Sequence, residues 1–478
     1  MSDSMVSGLY DDASEADRRN DSTKADRRDA LTSGRLPVAV YGLGKMGLPL
    51  AAVFADTGMR VLGVDVDPDV VDCVANGDCH VEEPGLAPLV AELVETGRLD
   101  ATTDGPAAAA EAAVHVIIVP TLVRDGGEPD LSTVEAVVAD ISTGLAPGDL
   151  VVLESTVPPR TARDVVTPTL EAETGLDRGE FGVAVCPERT ASGRALRDIR
   201  GSYPKVVGGI DAESTRAALL LYADVTSNRV TPVADATTAE AVKVFEGIYR
   251  DVNIALANEL ATTCDDLGIS VREAIETANQ LPVCDIHDPG PGVGGHCIPN
   301  YPHFLMDRVE TETPLTATAR AVNERMPIVT VDRLEHELER TGGELRDASV
   351  AVLGLTYRAG VPELRNAPAL DVIAELDRRG ASVVAVDPFV DPESVDIPGL
   401  PIDDLPETSL DAVVLTTPHT AFDRIDWETI DPLVLVDARD ALSLENTHHR
   451  VVTLGVGTPP DESTTAQDRS ILGQVDAQ

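Results

Sequence analysis

Residues 290–299 read Gly290-Pro291-Gly292-Val293-Gly294-Gly295-His296-Cys297-Ile298-Pro299, placing one thiol in a loop dense in glycine and bounded by proline. Glycine lets backbone come close to a ligand without steric penalty. A cysteine set there reaches a substrate as a nucleophile instead of filling a core. Far upstream stands Gly42-x-Gly44-x-x-Gly47, between an apolar run at 36–41 and an alanine-rich stretch to about 57. Lys45 and Met46 complete that turn, and Asp65 closes the next apolar run, 60–64. Glycines there give a tight turn and let a pyrophosphate approach a helix N-terminus with its unpaired N–H groups, while Asp65 can bond the adenosine ribose. The acid repels a 2′-phosphate, which favours NAD over NADP. A flavin site or a purely structural turn is the alternative. Together, a nicotinamide site and such a thiol can carry an alcohol past the aldehyde to an acid, because covalent capture divides a four-electron oxidation and retains the aldehyde.

A second glycine-containing turn, Gly354-Leu355-Thr356-Tyr357-Arg358-Ala359-Gly360, precedes Arg365-Asn366-Ala367-Pro368. It lacks the fingerprint. Its arginines suit a phosphate-bearing ligand held by guanidinium forks, or else they solvate a surface turn.

These residues need elements to hold them. Apolar runs at 36–41, 60–64, 114–119, 150–153 and 182–185 alternate with helical stretches, which predicts a parallel α/β sheet. From about 235 the pattern changes to long helices, 239–265 and 316–340, with Pro327 marking a kink or restart. A second α/β block opens at 348–354 and continues through a helix at 369–379 and strands at 382–386 and 412–415. The expected order is a disordered polar tail over 1–34, an α/β domain over 35–228, a helical connector with the cysteine loop over 229–343, an α/β domain over 344–457 and a second disordered tail over 458–478.

At 478 residues the chain is too long for one ordinary domain. Its 82 acidic against 37 basic residues give a net charge of −45, which repels nucleic acid and anionic membrane. The acidity is spread along the chain, as on a surface adapted to high salt, where self-repulsion is screened. Six irregularly spaced cysteines match neither a disulfide scaffold nor a zinc site, so no metal is expected and five of them read as packing. No apolar run reaches the ~18 residues that a membrane span needs, and the N-terminus lacks a secretory h-region. A cytoplasmic protein is expected.

The separated motifs resemble those of the nucleotide-sugar 6-dehydrogenases, the UDP-glucose and UDP-N-acetylmannosamine dehydrogenase group. They are Gly47-Leu48-Pro49, Glu83-Pro84-Gly85-Leu86, Val119-Pro120-Thr121, Glu154-Ser155-Thr156-Val157-Pro158-Pro159, Cys186-Pro187-Glu188-Arg189, Ala239-Glu240-Ala241-Val242-Lys243, Arg250-Asp251-Val252-Asn253-Ile254-Ala255, the cysteine loop and Arg365-Asn366-Ala367-Pro368. The resemblance implies an α/β fold of two Rossmann-like domains joined by a helical connector that dimerises, with the active site in the cleft between the domains. It makes Cys297 the thiol that captures the aldehyde, Lys243 the cation facing the developing oxyanion, and Glu188 and Thr156 the residues that place the water and the substrate hydroxyl. Glu154 or Glu240 is the rival to Glu188. Thr121 and Thr156 also fall where the family contacts NAD, unless they are strand-end or N-cap hydroxyls. Arg189, Thr190, Lys243, Arg250, Gly292, Tyr357, Arg358 and Arg365 take the UDP-sugar.

Cys-Pro-Glu-Arg and Arg-Asp-Val-Asn-Ile-Ala resemble the N-acetylmannosamine branch more than the glucose branch, where Arg189 would satisfy an acetamido carbonyl or a phosphate. The expected reaction is UDP-N-acetylmannosamine to its uronate with two NAD, in a homodimer or higher homo-oligomer. UDP-glucose and UDP-N-acetylglucosamine are the rival substrates, and an inactive UDP-sugar sensor is the reading from another class. The chain also departs from the family pattern. Tyr301 stands where an aspartate is usual, Gly247 where an asparagine is, and Leu281 and Val283 where a histidine and an arginine are. His296 and His303 are the candidates to replace the aspartate.

Overall fold

A computed structural model describes residues 21–124, 126–190, 193–444 and 447–457. The chain divides into two compact units. The first ends at Glu246 and takes back His303–Glu310; the second comprises Gly247–Pro302 and the residues from Thr311 on.

In the first unit, strands β1 (Val38–Tyr41), β2 (Val61–Val64), β3 (Leu99–Thr102) and β4 (Val114–Ile117) are followed by a small antiparallel pair, β5 (Leu122–Val123) and β6 (Pro129–Asp130). Strands β7 (Leu150–Leu153), β8 (Gly182–Val185), β9 (Lys205–Gly209) and β10 (Val230–Pro232) complete the main sheet, whose order is β10-β9-β8-β7-β4-β1-β2-β3. Every pairing in it is parallel except β8 with β9. The order reverses between β1 and β4, the doubly wound switch point outside whose carboxyl edge ligands bind. Alternate β1 residues enter different cores, Val38 and Val40 one, Ala39 and Tyr41 the other, so both faces are covered.

The second unit carries β11 (Ser349–Leu353), β12 (Ser382–Val386), β13 (Ala412–Leu415), β14 (Val434–Asp437) and β15 (Arg450–Thr453), all parallel, in the order β12-β11-β13-β14-β15. Here the switch point lies between β11 and β13. The helix Ala236–Thr262 and the 28-residue helix Pro314–Thr341 supply the expected long helices. The second continues through Pro327 as one element instead of restarting.

Two expected boundaries are corrected. Residues 21–34 do not belong to a disordered tail: Asp21–Thr32 is a helix, and its Ala30 and Leu31 are 1% exposed. Arg27 pairs with Glu213 of the helix Ala212–Tyr222 and Arg28 with Asp224 just past its end, so a polar segment is held by two buried apolar residues and a short row of charges. Residues 1–20 and the proposed tail at 458–478 lie outside the described residues. The first domain also runs past 228, since Val230–Pro232 adds the outermost strand of its sheet. No helix among the described residues is long and apolar enough to cross a membrane, and none of their His, Cys, Asp and Glu side chains group as a metal site.

Candidate active site

The turn after β1 is built for close approach. Gly42 has φ +99° and its N–H donates to the Val64 carbonyl at 2.7 Å. An ideal Cβ on Gly47 would lie 1.9 Å from the Gly42 oxygen, whereas one on Gly44 would meet nothing within 4 Å. Gly44 and Lys45 are exposed beside half-buried Met46. The helix Gly47–Asp56 begins after Met46 with no side-chain cap, so its positive end faces the turn, although the Leu48 N–H is taken by the Gly44 carbonyl at 3.1 Å and Pro49 has none. Asp65 accepts the N–H groups of Leu43 at 2.8 Å and Asp67 at 3.1 Å, which fixes the turn and still leaves acceptor capacity for a ribose hydroxyl. Bare glycine, uncapped helix and fixed carboxylate fit a dinucleotide such as NAD. Thr121 Oγ1 donates to the Thr156 carbonyl at 2.5 Å, which joins the two threonines at the carboxyl ends of β4 and β7.

Along the same edge, the Thr190 N–H donates to the Glu188 carboxylate, and Thr190 Oγ1 donates to Met46 Sδ at 2.9 Å. The Cys186–Thr190 strip is thereby tied to the fingerprint turn. Lys243, buried on the helix Ala236–Thr262, holds its Nζ 3.9 Å from Glu188. The rival carboxylates are committed elsewhere. Glu154 receives Lys205 Nζ at 2.6 Å on both oxygens and the Tyr222 hydroxyl, in a buried cluster that also pushes the Cys186 thiol up. Glu240 accepts the N–H groups of Arg160 at 2.5 Å and Ala162 at 2.7 Å, and burial pushes it up to about 7. Arg189 lines the hollow beside Met46, Glu188 and Thr190, and its guanidinium is braced by Glu246, at 2.5 and 3.2 Å, and by the Pro204 carbonyl at 2.9 Å.

In the second unit the cysteine loop is suspended by polar groups of its own unit. Arg320 donates to Asp251 at 2.5 Å, Asn323 donates to Asp251 at 2.8 Å, Asn258 donates to Asn323 at 2.9 Å, and the Gly290 N–H donates to Asn258 at 2.9 Å. Further along, the Gly295 N–H donates to the Arg365 carbonyl and Asn366 Nδ2 donates to the Gly295 carbonyl, both at 2.9 Å. Gly295 has φ +87°, and a Cβ on Gly294 would lie 2.7 Å from both the Asn366 oxygen and Tyr357 Cβ. Only glycine fits this seam. Cys297 emerges from it exposed.

Tyr357 and Arg358 follow β11 at the carboxyl edge of the second switch point. Burial pushes the Tyr357 hydroxyl up, and the neighbouring Glu363 and Cys297 add to that. His296 is paired with Glu363, and His303 belongs to the first unit, where it packs on Gly127 between β5 and β6. Gly292 lies against Pro368, Arg365 reaches the loop through its backbone, and Arg250 is exposed on the long helix. Leu281 and Val283, two of the family departures, are 60% and 89% exposed.

Asn258, Asn323, Glu363 and Asn366 are the supports that sequence reasoning missed. Asn366 stood within a quoted motif, but its φ of +51° and its bond to Gly295 are invisible in a string. The other three offered no local signal.

The chain matches three domain models of one family, described as UDP-glucose/GDP-mannose dehydrogenase: the NAD binding domain over 36–226, the central domain over 237–325 and the UDP binding domain over 351–444. It is 35% identical over 412 residues to the UDP-N-acetyl-D-mannosamine dehydrogenase of Pyrococcus horikoshii, covering 85% of this chain and 96% of that protein. It is 36% identical over 414 residues to the NDP-N-acetyl-D-galactosaminuronic acid dehydrogenase of Ralstonia nicotianae, covering 84% and 95%. The solved structure of UDP-D-ManNAc dehydrogenase from Pyrococcus horikoshii superposes with a TM-score of 0.81 at 33% identity, covering 88% of this chain and all of that one. With an NAD cradle at one switch point and an exposed thiol at the other, this chain is an NAD-dependent oxidoreductase of the UDP-glucose/GDP-mannose dehydrogenase family.

Proposed function

We propose that this protein oxidises the C6 hydroxyl of UDP-N-acetylmannosamine to a carboxylate. The observation that carries the reading is the exposed Cys297 thiol on a glycine seam stitched to Arg365 and Asn366, in a chain that also holds the NAD turn. NAD, when bound, supplies the hydride acceptor, twice for each sugar. Cys297 Sγ adds to the aldehyde carbon left by the first oxidation and forms a C–S bond. Lys243 holds the negative charge on the resulting oxygen. Departure of the second hydride leaves a thioester. Glu188 takes the proton of the attacking water, the C–S bond breaks, and the sulfur leaves as thiolate. The sum is alcohol, water and two NAD giving carboxylate, two NADH and three protons. Thr156 and Thr121 line the cofactor edge, and Thr190 fixes Glu188 against the turn. Arg189, braced by Glu246 and the Pro204 carbonyl, meets the sugar beside Thr190, and phosphate recognition falls to Arg250, Gly292, Tyr357, Arg358 and Arg365.

Support for an acetamido sugar comes from the named relatives, one a mannosamine and one a galactosaminuronic acid enzyme. The test is NADH release with UDP-N-acetylmannosamine, UDP-N-acetylgalactosamine, UDP-N-acetylglucosamine and UDP-glucose, run in molar KCl. The highest kcat/KM is expected for the first, with two NADH per sugar. A preference for UDP-glucose, or one NADH per sugar, overturns the reading. A cytoplasmic homodimer with a salt-adapted surface belongs to the same proposal, and light scattering at high and low salt tests its assembly.

A further inference from the structure

Gly247 sits in the middle of the 27-residue helix Ala236–Thr262, where glycine weakens a helix and no turn asks for one. It is buried. The space its missing side chain leaves is filled from outside the helix: an ideal Cβ there would lie 2.0 Å from Tyr301 Cδ2, 2.9 Å from Cγ and 3.0 Å from Cβ. The ring cannot swing clear by moving only its tip, because its root atoms are as close as a contact allows. Tyr301 is itself 6% exposed and opens the helix Tyr301–Arg308. Its N–H, like that of Asn300, donates to the Cys297 carbonyl at 3.1 Å. One residue therefore touches the notch with its ring and the backbone of the thiol with its amide. Lys243 lies one turn before Gly247 on the same helix face.

We propose that Tyr301 is a positioning residue for the thiol: its ring, keyed into the Gly247 notch, sets where the Cys297 turn sits against its own unit's part of the long helix, from Gly247 on. The inference deepens the proposed function and rests on its assignment of Cys297.

The test is a double-mutant cycle of Gly247→Ala and Tyr301→Ala, read by thermal melting, by steady-state kinetics and by iodoacetamide labelling of Cys297 followed on its peptide. Alanine normally strengthens a helix at a glycine site. Gly247→Ala should therefore lower the Tm of the native chain, where it evicts the ring, and raise it in the Tyr301→Ala background. In the native background kcat should fall on the order of 100-fold, with the KM for NAD little changed and the labelling rate of Cys297 altered. Tyr301→Phe, which keeps the ring, should restore melting and labelling to native values. A Tm that rises in both backgrounds overturns the proposal, and so does the expected reversal with unchanged kcat and labelling. If the native enzyme oxidises no sugar nucleotide, the proposed function falls, while melting and labelling still decide whether Tyr301 holds the thiol.

Discussion

Six cysteines are available, and their surroundings sort them. Burial pushes the thiols of Cys186, Cys264 and Cys73 up, whereas Cys297 is exposed on its loop. Cys297→Ser should reduce NADH formation on the order of 10³-fold or more while leaving NAD binding intact, as measured by fluorescence titration. Turnover at the native rate would remove the thioester from the mechanism. Glu240 carries a second prediction. Its folded pKa of about 7 stands above its ordinary 4.5, so the fold favours the neutral acid. The stability it contributes is whole below the lower value and is lost as pH rises through the higher, about 3 kcal/mol in all. Glu240→Gln should flatten the stability–pH curve across that window in denaturant titrations; a curve parallel to native would refute this. The glycine loop and the fingerprint could be read from the string because each is a local run of atypical residues. Asp251, Asn258, Asn323 and Arg320 could not, since their bonds join positions 65 to 72 residues apart.

At the scale of elements, the central strands β1, β4, β7, β8, β11 and β13 were readable almost to the residue because strands buried on both faces are continuous apolar runs. The edge strands β3, β10 and β15 were not. β3 is Leu-Asp-Ala-Thr and β15 is Arg-Val-Val-Thr, each too mixed to stand out from a loop. Lys205–Gly209 ends in two glycines and pairs antiparallel to β8, against the parallel pattern around it. The helix Asp21–Thr32 was missed for the opposite reason: its composition is that of a solvated tail, and only Ala30 and Leu31 give it a place in the core. Leu31→Ala should accordingly cost about 3 kcal/mol, seen as a lower midpoint in urea. A cost near zero would mean that the helix is not held there.

For the whole molecule, a net charge of −45 is the dominant long-range property. Repulsion among like surface charges weakens as the Debye length shrinks from ~10 Å at 0.1 M salt to ~3 Å at 1 M. The Tm should climb steeply over that range of KCl and little beyond it; a Tm indifferent to KCl would remove the argument for a salt-adapted surface. The first turns of the two sheets share one further device. Leu43 N–H is held by Asp65 after β2, and Leu355 N–H is held by Asp387 after β12, at 2.8 and 2.6 Å. Gly42 and Gly354 donate to the matching strand residues Val64 and Val386 at 2.7 and 2.8 Å. The same clasp thus closes both halves, and the residues directly beyond it differ, Gly-Lys-Met in one and Thr-Tyr-Arg in the other. A shared buckle thus carries different cargo in each half, and putting Thr-Tyr-Arg in place of Gly-Lys-Met should weaken NAD binding in a fluorescence titration while both sheets still melt as in the native chain.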